Sequence, residues 1–255
     1  MDPWAIAGSA VVAGLAGVTA YGAVNAGSQL FGRSICHTDD ARKFALTFDD
    51  GPNPAITPKF LDLLDRHSIK ATFFLVGKYV RAAPALTKEI SARGHVIGNH
   101  TDSHPNLFFC GPAESRTELL RCSEAIVDAT WGEPKWFRPP FGYRSPWIGE
   151  LVQQQRMQMV MWTLLPGDWR SKPLEWLIRR MEPIAAQAQA LPAKAKPQSQ
   201  ETHGNILCLH DGDYARANAD RTRTLAALEF WIPRWRDLGL GFVTMREMQG
   251  KAVEA

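Results

Sequence analysis

From Phe44 onward, short apolar runs alternate with longer segments whose apolar residues recur at helical spacing. The short runs, bounded by Gly, Pro and Asp, predict strands at 44–48, 71–76, 96–98, 136–137, 157–162, 206–209 and 242–244. Between them, amphipathic segments predict helices at 58–67, 85–93, 113–130, 146–155, 174–186 and 222–238. Proline at or near several of these helix starts suits a first turn that needs no amide donor. Strands that alternate with helices predict parallel βαβ units, in a barrel or in an open doubly wound sheet.

Two stretches break the pattern. Residues 3–32 contain no Asp, Glu, Lys or Arg, enough chain to cross a bilayer as a helix. Their Gly and Ala content weakens the hydrophobic drive, and Asp2 stands where a signal peptide would be basic. Segment 1–32 therefore reads as an apolar N-terminal helix acting as a membrane anchor, with a signal peptide or a packed helix as alternatives. Arg33, Arg42 and Lys43 follow it with Asp39 and Asp40 among them, so the topology stays open. Residues 185–203, rich in Ala, Gln, Lys and Pro, read as a helix tail running into a flexible insertion at 187–203. A helix-to-strand connection lies on the barrel face opposite the active-site loops, so no catalytic role is assigned to it.

Composition narrows the class. With 255 residues, 45% of them hydrophobic, the chain can build one large α/β domain or two small ones. A net charge of +3 gives no case for nucleic acid as a partner. Four cysteines without a close pair argue against a disulfide scaffold and a cysteine zinc site. Cys208 reads as a buried structural thiol, and Cys110 and Cys122 as a pair able to bridge in an oxidising compartment.

The chemistry-bearing residues sit where predicted strands finish. Thr47-Phe48-Asp49-Asp50-Gly51-Pro52 puts two carboxylates at a strand end and turns the chain sharply after them. His100-Thr101-Asp102-Ser103-His104 spaces two imidazoles i and i+4, facing one side if the segment forms a helical turn. With Asp50 they make a His₂Asp set that leaves coordination positions open, as catalytic zinc sites do. Arg138-Pro139-Pro140-Phe141-Gly142 offers a stiff loop and a fixed guanidinium. Gly167-Asp168-Trp169 and Leu207-Cys208-Leu209-His210 complete the five. Strand ends of a barrel converge on one face.

These five stretches, in this order, resemble the motifs of the polysaccharide deacetylase family, the NodB-homology domain of carbohydrate esterases. The resemblance spans roughly residues 44 to 246, with Arg223 and Gly241-Phe242-Val243-Thr244 fitting the family's tail. It implies an α/β fold over residues 40–250, a single distorted (β/α) barrel with fewer than eight full units. It implies Asp49 as general base, Asp50, His100 and His104 as metal ligands, and His210 as general acid. Arg138 would orient Asp49, Asp168 would pair with His210, and the backbone amide of Phe141 would meet the oxyanion. Tyr143 and Trp169 are the aromatic residues expected to line the cleft, whereas Trp136 and Trp162 fall within strands and read as core. One departure is Leu165, where many relatives carry an acid three residues before the retained one; it puts the shape of the substrate groove in doubt.

The implied activity is metal-dependent removal of N-acetyl groups from N-acetylglucosamine-type residues of peptidoglycan, a chitin-like chain or an exopolysaccharide. O-acetyl esterase action and deacylation or deformylation of a lipid-linked sugar use the same machinery. A silent carbohydrate-binding homologue is the non-enzymatic alternative. The cofactor expected is a divalent ion, zinc first, with cobalt, nickel, manganese or iron fitting the same donors. The partners are a glycan or glycolipid, with membrane association through residues 3–32 and a place in the cell envelope.

Overall fold

The computed structural model describes residues 14, 16–191 and 203–248. In chain order these form α1 (residues 16–24), β1 (Ser34–Ile35), β2 (Lys43–Gly51), α2 (Thr57–Arg66), β3 (Thr72–Leu75), α3 (Gly77–Ala82) and α4 (Pro84–Ala92). There follow β4 (Val96–Asn99), α5 (Pro112–Thr130), β5 (Trp136–Phe137), α6 (Ile148–Gln154), β6 (Gln158–Val160), α7 (Leu174–Ala190), β7 (Ile206–His210), α8 (Thr222–Asp237) and β8 (Gly241–Val243).

The strand faces follow from the sequence at period two. On β2, Phe44, Leu46 and Phe48 point outward to the helices, and Phe73, Leu75, Leu207 and Leu209 join them from β3 and β7. Against this layer pack Phe60 and Leu64 of α2, Ile126 of α5, Met181 and Ile184 of α7, and Ile232 and Trp235 of α8. Each buried Leu or Phe of this kind contributes roughly 1.5–3 kcal/mol. The intervening residues face into the barrel. Ala45, Phe74, Val96, Trp136, Val160 and Ile206 form a separate inner cluster, and the alternation that turns them inward also turns Asp49 and His210 inward.

All pairings between named strands are parallel, in the order β1-β6-β5-β4-β3-β2-β7, with β8 beside β2. A parallel bridge between Leu164 and Leu207 joins the chain after β6 to β7. It is held by Thr163 N–H to Ile206 O at 3.0 Å and Cys208 N–H to Leu164 O at 3.0 Å. This closes β2 through β7 into a ring and decides for the barrel over the open sheet. β1 and β8 add short pairings outside it.

Several expectations change. β6 stops at Val160, so Trp162 lies beyond the strand. α7 continues to Ala190 with Pro183 inside it, four residues past the expected end at 186. Residues 192–202 of the expected insertion at 187–203 lie outside the described residues. The flanking Leu191 and Gly204 sit at the entry to β2, where Arg42 donates to Leu191 O and Thr38 N–H to Gly204 O, opposite Asp49. Cys110 and Cys122 are free thiols, and Cys122 donates to Leu75 O at 3.3 Å.

The N-terminal segment lies partly outside the described residues, which omit 1–13 and 15. Among the described residues no helix is long and apolar enough to cross a membrane. α1 leaves Val18, Tyr21 and Val24 exposed, while Ala23, Ser28 and Phe31 are buried on the barrel. The fully buried Arg144 fastens this segment: its backbone N–H donates to Ala23 O, and its guanidinium to the carbonyls of Asn25 and Ser28.

Candidate active site

β2 delivers Asp49 and Asp50 to the open end of the barrel. Asp49 Oδ1 receives Nη1 of Arg138 at 2.7 Å. The guanidinium is fully buried, and its remaining donors reach Thr47 Oγ1 at 2.8 Å, Val160 O at 3.2 Å and Met161 O at 3.0 Å. It also lies over the Phe74 ring, 4.2 Å from the centroid. Buried cations persist when their donors are satisfied in this way, and the result is a fixed positive fork aimed at Asp49.

Asp50 turns away from the strand with φ of 71°. Its Oδ1 lies 3.1 Å from His104 Nε2 and 3.5 Å from His100 Nε2. The two imidazoles do not come from a helical turn. Thr101 and His104 adopt left-handed backbone at φ of 65°, and the loop is tied by Thr101 N–H to Asn99 Oδ1 and His104 N–H to Thr101 Oγ1. Glu118 of α5 accepts the next two amides, Asp102 N–H and Ser103 N–H. The i, i+4 spacing brings both rings to one point, but through an irregular loop. His104 is then sandwiched, with Tyr214 stacked on it at 4.6 Å and Phe141 edge-on at 4.6 Å.

These donors fit a divalent cation. His100 Nδ1 faces the carbonyl of Arg138 at 2.7 Å, so it must carry the proton and leave the Nε2 lone pair directed at Asp50. Asp50 Oδ1 is buried without a hydrogen-bond partner, and one ligand atom from each of Asp50, His100 and His104 lies within 4.8 Å of the others. Burial pushes the Asp50 carboxyl up, but the neighbouring imidazoles of His100, His104 and His210 outweigh it and hold it well below the usual range. Burial lowers His104, which favours the neutral imidazole that ligation needs.

Across the cleft, His210 ends β7. Its Nδ1 donates to Asp168 Oδ1 at 2.8 Å, its backbone N–H to Asp168 Oδ2 at 2.9 Å, and Thr224 Oγ1 to the same Oδ2 at 3.0 Å. Burial alone lowers this imidazole, but the charge and hydrogen bond of Asp168, with Asp50 and Asp49 behind, raise it to about 9. The cleft between the two halves encloses about 520 Å³ and includes Phe141, Tyr143, Trp169 and Leu165 in its lining. Phe141 at the rim has left-handed backbone, φ 58°.

The arrangement has close counterparts. The chitooligosaccharide deacetylase of Sinorhizobium fredii is 35% identical over 200 residues, covering 76% of this chain and 86% of that protein. A sequence profile of polysaccharide deacetylases matches residues 37–160. The chain belongs to the polysaccharide deacetylase family. A peptidoglycan-N-acetylglucosamine deacetylase of Bacillus cereus is 34% identical over 205 residues, 80% of this chain and 86% of the relative. Among solved structures, the Bc1960 peptidoglycan N-acetylglucosamine deacetylase, crystallised with a naphthyl N-oxidanyl-benzamide, superposes with a TM-score of 0.70 at 29% identity. That match covers 84% of this chain and 91% of the other.

Within this deacetylase fold, all ten residues singled out from the sequence border the cleft or directly support it. Asp49, Asp50, His100, His104, His210, Phe141, Tyr143 and Trp169 line it, while Arg138 and Asp168 stand one bond behind. Others were missed. Trp162 lines the cleft and closes on Gly142, where an added Cβ would lie 2.5 Å from its ring. Tyr214, Asp213 and Arg216 form the rim after β7 with no signal beyond their proximity to His210. Arg221, not Arg223, is the buried tail arginine; it donates to Gly212 O at 2.8 Å, whereas Arg223 reaches Lys172 O. Cys208 lines the cleft with Sγ 3.2 Å from Asp49 Oδ2. Asp211, raised by burial to about 7, braces the turn through Thr57 and lies where any Cβ on Gly51 would fall.

Proposed function

We propose that the protein hydrolyses N-acetyl groups from N-acetylglucosamine-type residues of a polysaccharide, as a metal-dependent deacetylase. The observation that carries this reading is the convergence of Asp50, His100 and His104 on one point, with Asp49 and His210 flanking it. Zinc suits the two imidazoles and one carboxylate best, and cobalt, nickel, manganese and iron can use the same donors. When bound, the ion supplies a Lewis acid that polarises the amide carbonyl and acidifies the attacking water.

The side chains do the rest. Asp49 accepts the proton of the attacking water as general base, oriented by Arg138. The backbone amide of Phe141 meets the developing oxyanion. His210, cationic through its pairing with Asp168, gives its proton to the departing sugar nitrogen, which otherwise leaves poorly. The C–N bond breaks, and acetate and a free amine result. Tyr143 and Trp169, 38% and 41% exposed at the cleft, stack on the faces of the flanking sugars. All five chemistry-bearing side chains are present, which favours an active enzyme over a silent binding homologue.

The uncharged stretch 3–32 supports association with a membrane, and a polymeric glycan substrate supports a place at the cell envelope. Purified protein assayed for acetate release on peptidoglycan, chitin oligomers and membrane-embedded glycolipid tests the reading. Chelation abolishes turnover and a divalent ion restores it. Asp49→Asn lowers turnover by about 10²–10⁴-fold with metal content unchanged; undiminished acetate release from that variant removes the proposed base.

A further inference from the structure

We propose that the cleft contains a second, inhibitory cation site, in which Asp49, Cys208 and His210 bind a thiophilic divalent ion such as zinc when it is in excess. The site comes from strand geometry. Cys208 and His210 are two residues apart on β7 and share one face, and Asp49 is paired in register with His210 on the neighbouring β2. One donor atom from each of the three lies within 4.8 Å of the others. In each pair of donors the second atom is already engaged: Arg138 holds Asp49 Oδ1 and Asp168 holds His210 Nδ1. That leaves His210 Nε2, together with Asp49 Oδ2 and the Cys208 thiol that donates to it at 3.2 Å, a hydrogen bond the ion replaces, with outer partners orienting two of the three ligands. All three residues line the cleft.

Binding forms metal–oxygen, metal–sulfur and metal–nitrogen bonds; the thiol proton, and the imidazolium proton when present, leave to solvent without any redox change. A thiolate ligand selects zinc or cadmium over magnesium and manganese. An ion seated there occupies the free oxygen of Asp49 and the leaving-group side of His210. The inhibitory effect rests on the proposed deacetylase function; the occupancy of the site does not.

The test is equilibrium dialysis of the full chain against zinc and against cadmium, with Cys208→Ser and Cys208→Ala in parallel and circular dichroism to verify their folds. Wild type takes up a second equivalent, shows a thiolate-to-cadmium charge-transfer band and loses acetate release as that equivalent binds. Both variants stop at one equivalent, lack the band, and retain their own activity to zinc concentrations more than about tenfold higher. A second equivalent with unchanged affinity in both variants, or no second equivalent in wild type, overturns the proposal. If the singly loaded protein releases no acetate while the second equivalent and the band persist, the function reading fails and the site stands.

Discussion

Asp168→Asn removes the charge beside His210 with almost no change in shape. In the native protein, burial lowers the imidazole and Asp168 overrides it, giving a pKa of about 9 against the ordinary 6.5. That rise corresponds to roughly 3 kcal/mol in favour of the imidazolium. With a neutral amide at 168 the largest raising contributions are gone, and the pKa falls back towards 6.5. The assay is an NMR titration of the His210 ring protons in chelated protein, because a cation near Asp50 offsets one of the charges that raise it. The wild-type midpoint lies near 9 and the variant's well below it. A return to the ordinary 6.5 leaves about a tenth of the imidazole protonated at pH 7.5, against nearly all in the wild type, and lowers turnover about tenfold. Stability follows the same linkage. A raised folded-state pKa stabilises fully below 6.5, and the gain is lost as pH rises through about 9. The melting-temperature gap between the two proteins is therefore widest below 6.5 and closes above 9. Equal midpoints in the two titrations would refute the argument.

Arg138→Met leaves the buried Asp49 without its cation and costs about 3 kcal/mol of stability, the low end for a broken buried pair because the cleft admits water; urea unfolding at neutral pH measures it. Tyr214→Ala uncovers one face of His104 and weakens zinc affinity by about tenfold, read by competition with a chelating indicator. Arg144→Met removes the donors to the Asn25 and Ser28 carbonyls, costing about 2 kcal/mol and speeding protease cleavage between residues 24 and 32.

The site was legible because its residues cluster at strand ends, and strand ends follow from short apolar runs. Asp49 and His210 follow directly from period-two alternation on β2 and β7. The same rule, applied from His210 back to Cys208, puts the thiol on the active face; its apolar neighbours Leu207 and Leu209 disguised it, though both point the other way. Trp162 was misjudged because an apolar run does not reveal where ladder pairing ends, and β6 ends at Val160. α3 is only six residues long and gives no helical period to read. The rim formed by Tyr214 and Arg216 depends on a loop folding back over His104. Hydrophobic pattern says nothing about that path, because the contacts come from chain segments far apart in sequence.

The ring of strands is closed along one edge by the Leu164–Leu207 bridge and a few backbone bonds. Asp168 and His210 sit on opposite sides of that edge and meet just above it. The pair thus works as a clasp as well as in its proposed role as proton donor. Thermal breathing that parts the edge, visible as amide exchange at Cys208, separates Asp168 from His210 in the same motion. Under the proposed function, activity is expected to fade with the zipper, ahead of the melting of the helices outside it.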